Sequence, residues 1–164
     1  MYFRRCIGCF VLLAAALFTP ALPVKAQVPQ ATIDKIVSLM QQDHYDYKTT
    51  NTPTVFVIHF TGTHLKDIKV ILALGHDEDS DLVVFVTLAE KQRLPTTADF
   101  RYMLLKMSHE FSMIKVGLDH DDDLTVRIDA SSRLADATYL RHVVNQVKNS
   151  SDEIYGKIEP QLLP

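Results

Sequence analysis

The chain has 164 residues, 47% of them hydrophobic, with 17 basic residues against 20 acidic, two cysteines and no tryptophan. That length suits one domain with a single core, large enough to stand without disulfide or metal staples. A formal charge of −3, with no long basic run, argues against nucleic acid and anionic lipid as main partners.

Residues 1–26 have the three-part layout of a cleavable export signal. Arg4 and Arg5 supply a short positive start, and residues 6–18 (CIGCFVLLAAALF) form an apolar stretch too short to span a bilayer comfortably. Pro20 and Pro23 then break any helix, and Val24-Lys25-Ala26 offers small residues to a peptidase, so cleavage is expected after Ala26. No stable membrane anchor remains after that cut, and the expected address is the periplasm or the medium. Cleavage removes both cysteines, Cys6 and Cys9, which excludes a disulfide, a thiol nucleophile and a cysteine metal site from the mature chain. It also removes three basic residues and no acidic ones, so the formal charge moves from −3 to −6. Residues 27–164 are expected to form a single domain.

After Pro29, Ile33, Ile36, Val37 and Met40 recur at helical spacing, which predicts an amphipathic helix closed by Asp43-His44-Tyr45. Tyr45, Tyr47 and Thr49 alternate like a short strand, and Asn51-Thr52-Pro53 makes a turn. Residues 54–60 (TVFVIHF), 67–75 (DIKVILALG) and 82–89 (LVVFVTLA) read as strands, joined by Thr61-Gly62-Thr63 and by the acidic loop 76–81. Connections this short imply an antiparallel meander. A second helix starts after Leu94-Pro95, with Thr96 as its cap and Asp99 three residues on. It lines up Phe100, Met103, Leu104, Met107 and Phe111. Residues 113–118 and 124–129 alternate as a hairpin around Asp119 to Asp123, with Ile114, Val116 and Leu118 opposing Leu124, Val126 and Ile128. A last helix begins near Asp136 and presents Leu140, Val143, Val144, Val147, Ile154 and Ile158, with Asn149-Ser150-Ser151 weakening its middle. Helices and strands without βαβ alternation predict an α+β fold: an antiparallel sheet of about five strands with three helices.

The strands differ in how they use their two faces. The 113–129 hairpin is apolar on one side and polar on the other (Lys115, Thr125, Arg127, Asp129), as in a sheet half open to water. Strand 82–89 is apolar on both sides, with Val83 and Phe85 behind Leu82, Val84, Val86 and Leu88. Strand 55–60 is too, with Val55 and Val57 against Phe56, Ile58 and Phe60. A domain of this size covers one face with a helix. The second needs another helix of the same chain, a homodimer seam or a client, because so large an apolar patch is unusual on a monomer. Val83, Phe85, Phe56 and Ile58 are therefore the candidate binding residues.

Catalytic patterns are missing. There is no Gly-x-Ser-x-Gly elbow, no glycine-rich phosphate loop, and no second histidine to complete a zinc motif with His109-Glu110. The turn 119–123 (DHDDD) has the alternate aspartates of a calcium loop, but Leu124 and Ala130 stand where the glycine and the bidentate glutamate belong. Aspartates chosen for turn propensity explain it, and the loop 76–81, more simply. His59 and His142 are expected as partly buried, hydrogen-bonded histidines. No catalytic residue, metal ligand or cofactor is expected, and the chain reads as a binding protein. A protein partner or client peptide is the first expectation, and a small-ligand or divalent-cation sensor the alternative.

From Leu82 to Ile158 the residues resemble the YbjN family of bacterial sensory transduction regulators. The resemblance is carried by the Leu94-Pro95 helix start, the step Ser108-His109-Glu110-Phe111, and the strand Lys115-Val116-Gly117-Leu118-Asp119 with its acidic turn. Leu124-Thr125-Val126-Arg127-Ile128-Asp129 and a long helix ending near Ile154-Tyr155 complete it. About half of residues 27–164 match closely and the rest in element order. The resemblance implies a fold like that of type III secretion chaperones, helices on an antiparallel sheet that often dimerises, and it implies no catalytic site. An export signal departs from that pattern, since secretion chaperones serve cytoplasmic clients.

Overall fold

The computed structural model describes residues 27–75 and 81–164. The expected export signal and residues 76–80 of the acidic loop lie outside them. The elements run α1 (Gln30–Gln42), β1 (Tyr47–Thr49), β2 (Val55–Phe60), β3 (Ile68–Leu74), β4 (Leu82–Ala89), α2 (Ala98–Glu110), β5 (Lys115–Leu118), β6 (Leu124–Ala130) and α3 (Ala137–Ile158). The six strands form one sheet in the order β1-β2-β3-β4-β6-β5, and every neighbouring pair is antiparallel. The meander is β1 to β4. The β5–β6 hairpin then returns after α2 to add β6 beside β4, and the fold is α+β as the element order predicts.

One face of the sheet is the floor of the core. Strand side chains alternate between faces, and the alternate residues Phe56 and Ile58, Val70 and Leu72, Val84 and Val86, Val126 and Ile128 are all buried. Helix α3 lies across them and buries Leu140, Val143, Val144, Val147, Ile154 and Ile158. Its polar middle does not interrupt it. Ser150 and Ser151 are buried on the same face, so the stretch expected to weaken the helix is where it presents small side chains to the core. Helix α1 adds Ile36 and Met40 to this layer and is tied to α3 by an ion pair between Asp43, whose side chain is 1% exposed, and Arg141.

Capping residues set the helix starts. Asp136 accepts from the Tyr139 N–H at 2.7 Å and starts α3. For α2 the cap is Thr97, accepting from the Phe100 N–H at 3.3 Å, one residue later than the expected Thr96. The β2–β3 connection is fastened to α3 by Asp152, whose carboxylate accepts the N–H groups of Thr63, His64 and Leu65 at 2.8–2.9 Å. Burial pushes that carboxyl up, but the three backbone donors outweigh it and hold it below the usual carboxylate range.

Candidate functional site: the helix-free face of the sheet

The strand residues of opposite parity form the second face. Register places Val57 beside Ile71, Ile71 beside Phe85, Phe85 beside Arg127 and Arg127 beside Lys115, one row across five strands. The next row is Val55, Ala73, Val83 and Asp129. Val55, Val57, Ile71, Ala73, Val83 and Phe85 are half-buried, while Lys69, Thr87, Lys115 and Arg127 are exposed. Among the described residues no helix covers this face. Within residues 27–75 and 81–164, then, the second apolar face has no helical cover.

The four candidate residues are split by this geometry. Val83 and Phe85 sit at the centre of the helix-free face. Phe56 and Ile58 are 1% and 2% exposed, on the core side beneath the helices, and no partner can reach them. The assignment of all four to one surface is therefore corrected, and the β2 residues on the open face are Val55 and Val57. Both sides of β2 are apolar, so its composition leaves the choice of face open. The pairing register decides it, and a shift of one residue would exchange the faces. Ile71 and Ala73 escaped the sequence reading, although the alternation of β3 around Lys69 carries the signal.

The face is apolar over β2 to β4 and charged over β5 and β6. Lys115 reaches Asp129 at 2.5 Å, and Arg127 lies 3.4 Å from the same carboxylate. At the β2 rim, His59 Nδ1 lies 2.9 Å from Asp67 Oδ1. That hydrogen bond is the main reason the Asp67 carboxyl is held below its usual range. His59 is exposed rather than partly buried, and so is His142 on α3.

The acidic turn 119–123 is bound into the structure as a turn. Asp119 Oδ1 accepts the N–H groups of Asp121 and Asp123 at 3.0 Å each, Asp123 accepts the Lys91 N–H, and Asp122 pairs with the Lys91 ammonium. Ligand atoms of Asp119, His120 and Asp121 lie within 4.8 Å of one another, but the Asp119 oxygen is committed to the turn. Asp81, the last residue of the other acidic loop, accepts from both the backbone and the hydroxyl of Ser132.

Three helices on one face of a six-stranded antiparallel sheet make this an α+β fold of the type III secretion chaperone-like kind. One chain of the heterodimeric ExoU–SpcU complex from the type III secretion system of Pseudomonas aeruginosa is similar to it, with a TM-score of 0.51 at 14% identity. The match covers 77% of this chain and 97% of that one. No protein-family model and no curated protein matches the sequence. At that identity the likeness speaks for the fold.

Proposed function

We propose that the chain is an exported, non-enzymatic, chaperone-like binding protein of the YbjN type, which holds a protein partner on the helix-free face of its sheet. The observation that carries this reading is the in-register row Val57, Ile71 and Phe85, with Val83 beside it, on a face with no helix above it among the described residues. Such a contiguous apolar surface rimmed by charge marks an interaction site more often than an ordinary monomer surface. Lys115, Arg127 and Asp129 give it a polar edge that would orient the partner. The heterodimeric neighbour in fold supports a protein partner, and the layout of residues 1–26 supports an address outside the cytoplasm. The absence of motifs for nucleophile, phosphate loop or metal from the sequence supports binding over catalysis.

The test is site-specific photocrosslinking in cells expressing the whole chain. A photoreactive residue replacing Phe85 is expected to capture a protein, and Val83→Asp in the same chain to abolish the capture. The same probe at Leu134, exposed in the loop before α3, is expected to capture nothing in common with it. A product of twice the chain mass assigns the face to a homodimer. Identical products from both positions, or none from Phe85, reject the face as the site.

A further inference from the structure

A cleft of about 490 Å³ opens on the opposite side of the molecule, between the start of α2 and strand β5. Its walls are Leu94 and Pro95 ahead of the helix, Phe100 and Leu104 on it, and Val116 and Leu118 on β5. That volume lies within the range of small-molecule sites, which are mostly apolar with a few placed polar groups. Leu105 and Leu118 stand at the cleft 70% and 56% exposed, so the apolar lining continues to the surface.

Helix α2 is capped at its start and fastened to β5 beside the cleft. Thr97 caps the first turn, and the Ser108 hydroxyl donates to the Val116 carbonyl at 2.9 Å while accepting the Val116 N–H at 3.1 Å. Ser108 thus occupies both backbone groups of Val116, as a neighbouring strand would. An extended peptide or a second copy adding a strand there would find that position filled. Strand addition at Val116 is therefore disfavoured.

Three charged residues line the cleft, and two of them cancel. Lys91 and Asp122 are paired at 2.5 Å. The Arg101 guanidinium has no hydrogen-bond or ion-pair partner among the described residues. An apolar cleft with one uncompensated guanidinium is complementary to an apolar anion, and the planar fork of arginine matches a carboxylate.

We propose that the cleft between α2 and β5 binds a single-chain carboxylate, with its alkyl chain among Leu94, Phe100, Leu104 and Val116 and its carboxylate on Arg101. This site is separate from the sheet face and stands or falls without it.

Calorimetric titration of the whole chain with laurate, below its micelle concentration, tests the assignment. Dodecyltrimethylammonium, which has the same tail and the opposite head charge, and butyrate, which keeps the head and loses the tail, are the comparisons. Laurate is expected to bind tightest. Arg101→Gln is expected to weaken it about ten-fold, the effect of one charge-assisted hydrogen bond. Leu105→Asp is expected to abolish binding, and both variants should keep the parent's circular dichroism because both positions are exposed. Equal affinity for laurate and dodecyltrimethylammonium, no laurate binding, or laurate binding unchanged in either variant overturns the proposal. So does a dimer by sedimentation that Leu105→Asp converts to monomer while laurate binds neither form; the groove then belongs to a second copy.

Discussion

Helices α2 and α3 are both amphipathic in sequence, and they serve the fold differently. Of the 22 residues of α3, eight are buried, and they span the helix from Leu140 to Ile158. Of the 13 residues of α2, two are buried, Phe100 and Met107. Tyr102 and Leu105 on α2 face solvent instead. Helix α3 lies across the middle of the sheet, over β3, β4 and β6, where apolar side chains surround it. Helix α2 lies beside β5, a four-residue edge strand, where there is less to pack against. An apolar stripe thus becomes core over the centre of a sheet and surface beside its edge. Stability should therefore be concentrated in α3, and tolerance to change in α2.

The largest expected difference follows from that contrast. Leu140→Ala removes a fully buried side chain from α3 and is expected to cost about 3 kcal/mol, the usual loss for emptying a packed leucine site. Leu105→Ala on α2 is expected to stay within about 0.5 kcal/mol of the parent, as surface substitutions do. Urea unfolding measures both. Equal losses would mean that α2 is packed against something more than its own chain.

Next in size is the fastening of the β2–β3 connection to α3. Asp152→Ala leaves the Thr63, His64 and Leu65 N–H groups without their acceptor and is expected to cost about 2 kcal/mol. The sign of the pH effect follows from the depressed Asp152 carboxyl. Its contribution is fully present above the ordinary aspartate value of 3.8 and is lost as pH falls below it through the lower folded value. The parent's urea midpoint should therefore fall more steeply on acidification than that of Asp152→Ala. Gly62 shares the spot: a β-carbon there would lie 2.2 Å from Asp152 Oδ1 and 2.8 Å from Ile68 Cδ1. At Gly156 the obstacle is the exposed His64 ring, at 2.6 Å, which can swing aside. Gly62→Ala should thus destabilise more than Gly156→Ala.

Particular residues show how far the sequence could be followed to the site. Strand β4 was legible to the residue, because Leu82-Val83-Val84-Phe85-Val86 is β-branched and aromatic and has clear punctuation on both sides. The hairpin register was legible too, since Val116 against Val126 and Leu118 against Leu124 follow from counting back from the acidic turn. The open face was half legible. Val83 and Phe85 were found because the even positions of β4 form a complete apolar set, whereas β2 has bulk on both sides and gives no parity. Its Phe56 and Ile58 pack under the helices only because Phe56 pairs with Leu72 and Ile58 with Val70, both core residues. Asp152 and Ser108 were not legible at all. Each is an ordinary polar residue of a helix, and its partners come from 87 to 89 residues away for Asp152, and for Ser108 from a strand edge whose exposure depends on the whole topology.

The smallest expected loss among the hydrogen-bond deletions concerns how α2 stays seated. Ser108 bonds both backbone groups of Val116, and replacing its hydroxyl by hydrogen in Ser108→Ala strands a half-buried N–H and carbonyl at the sheet edge. The expected loss is about 1 kcal/mol, because the stranded groups are near enough to solvent to recover water in part. The informative readout is local. Amide hydrogen exchange at Val116 and along α2 should quicken, while β3, β4 and α3 keep the parent's protection, since their bonds open only with the whole domain. If Ser108→Ala instead quickens exchange in α3 as well, the two helices form one cooperative unit. The contrast between a core helix and an edge helix would then be one of burial and not of stability.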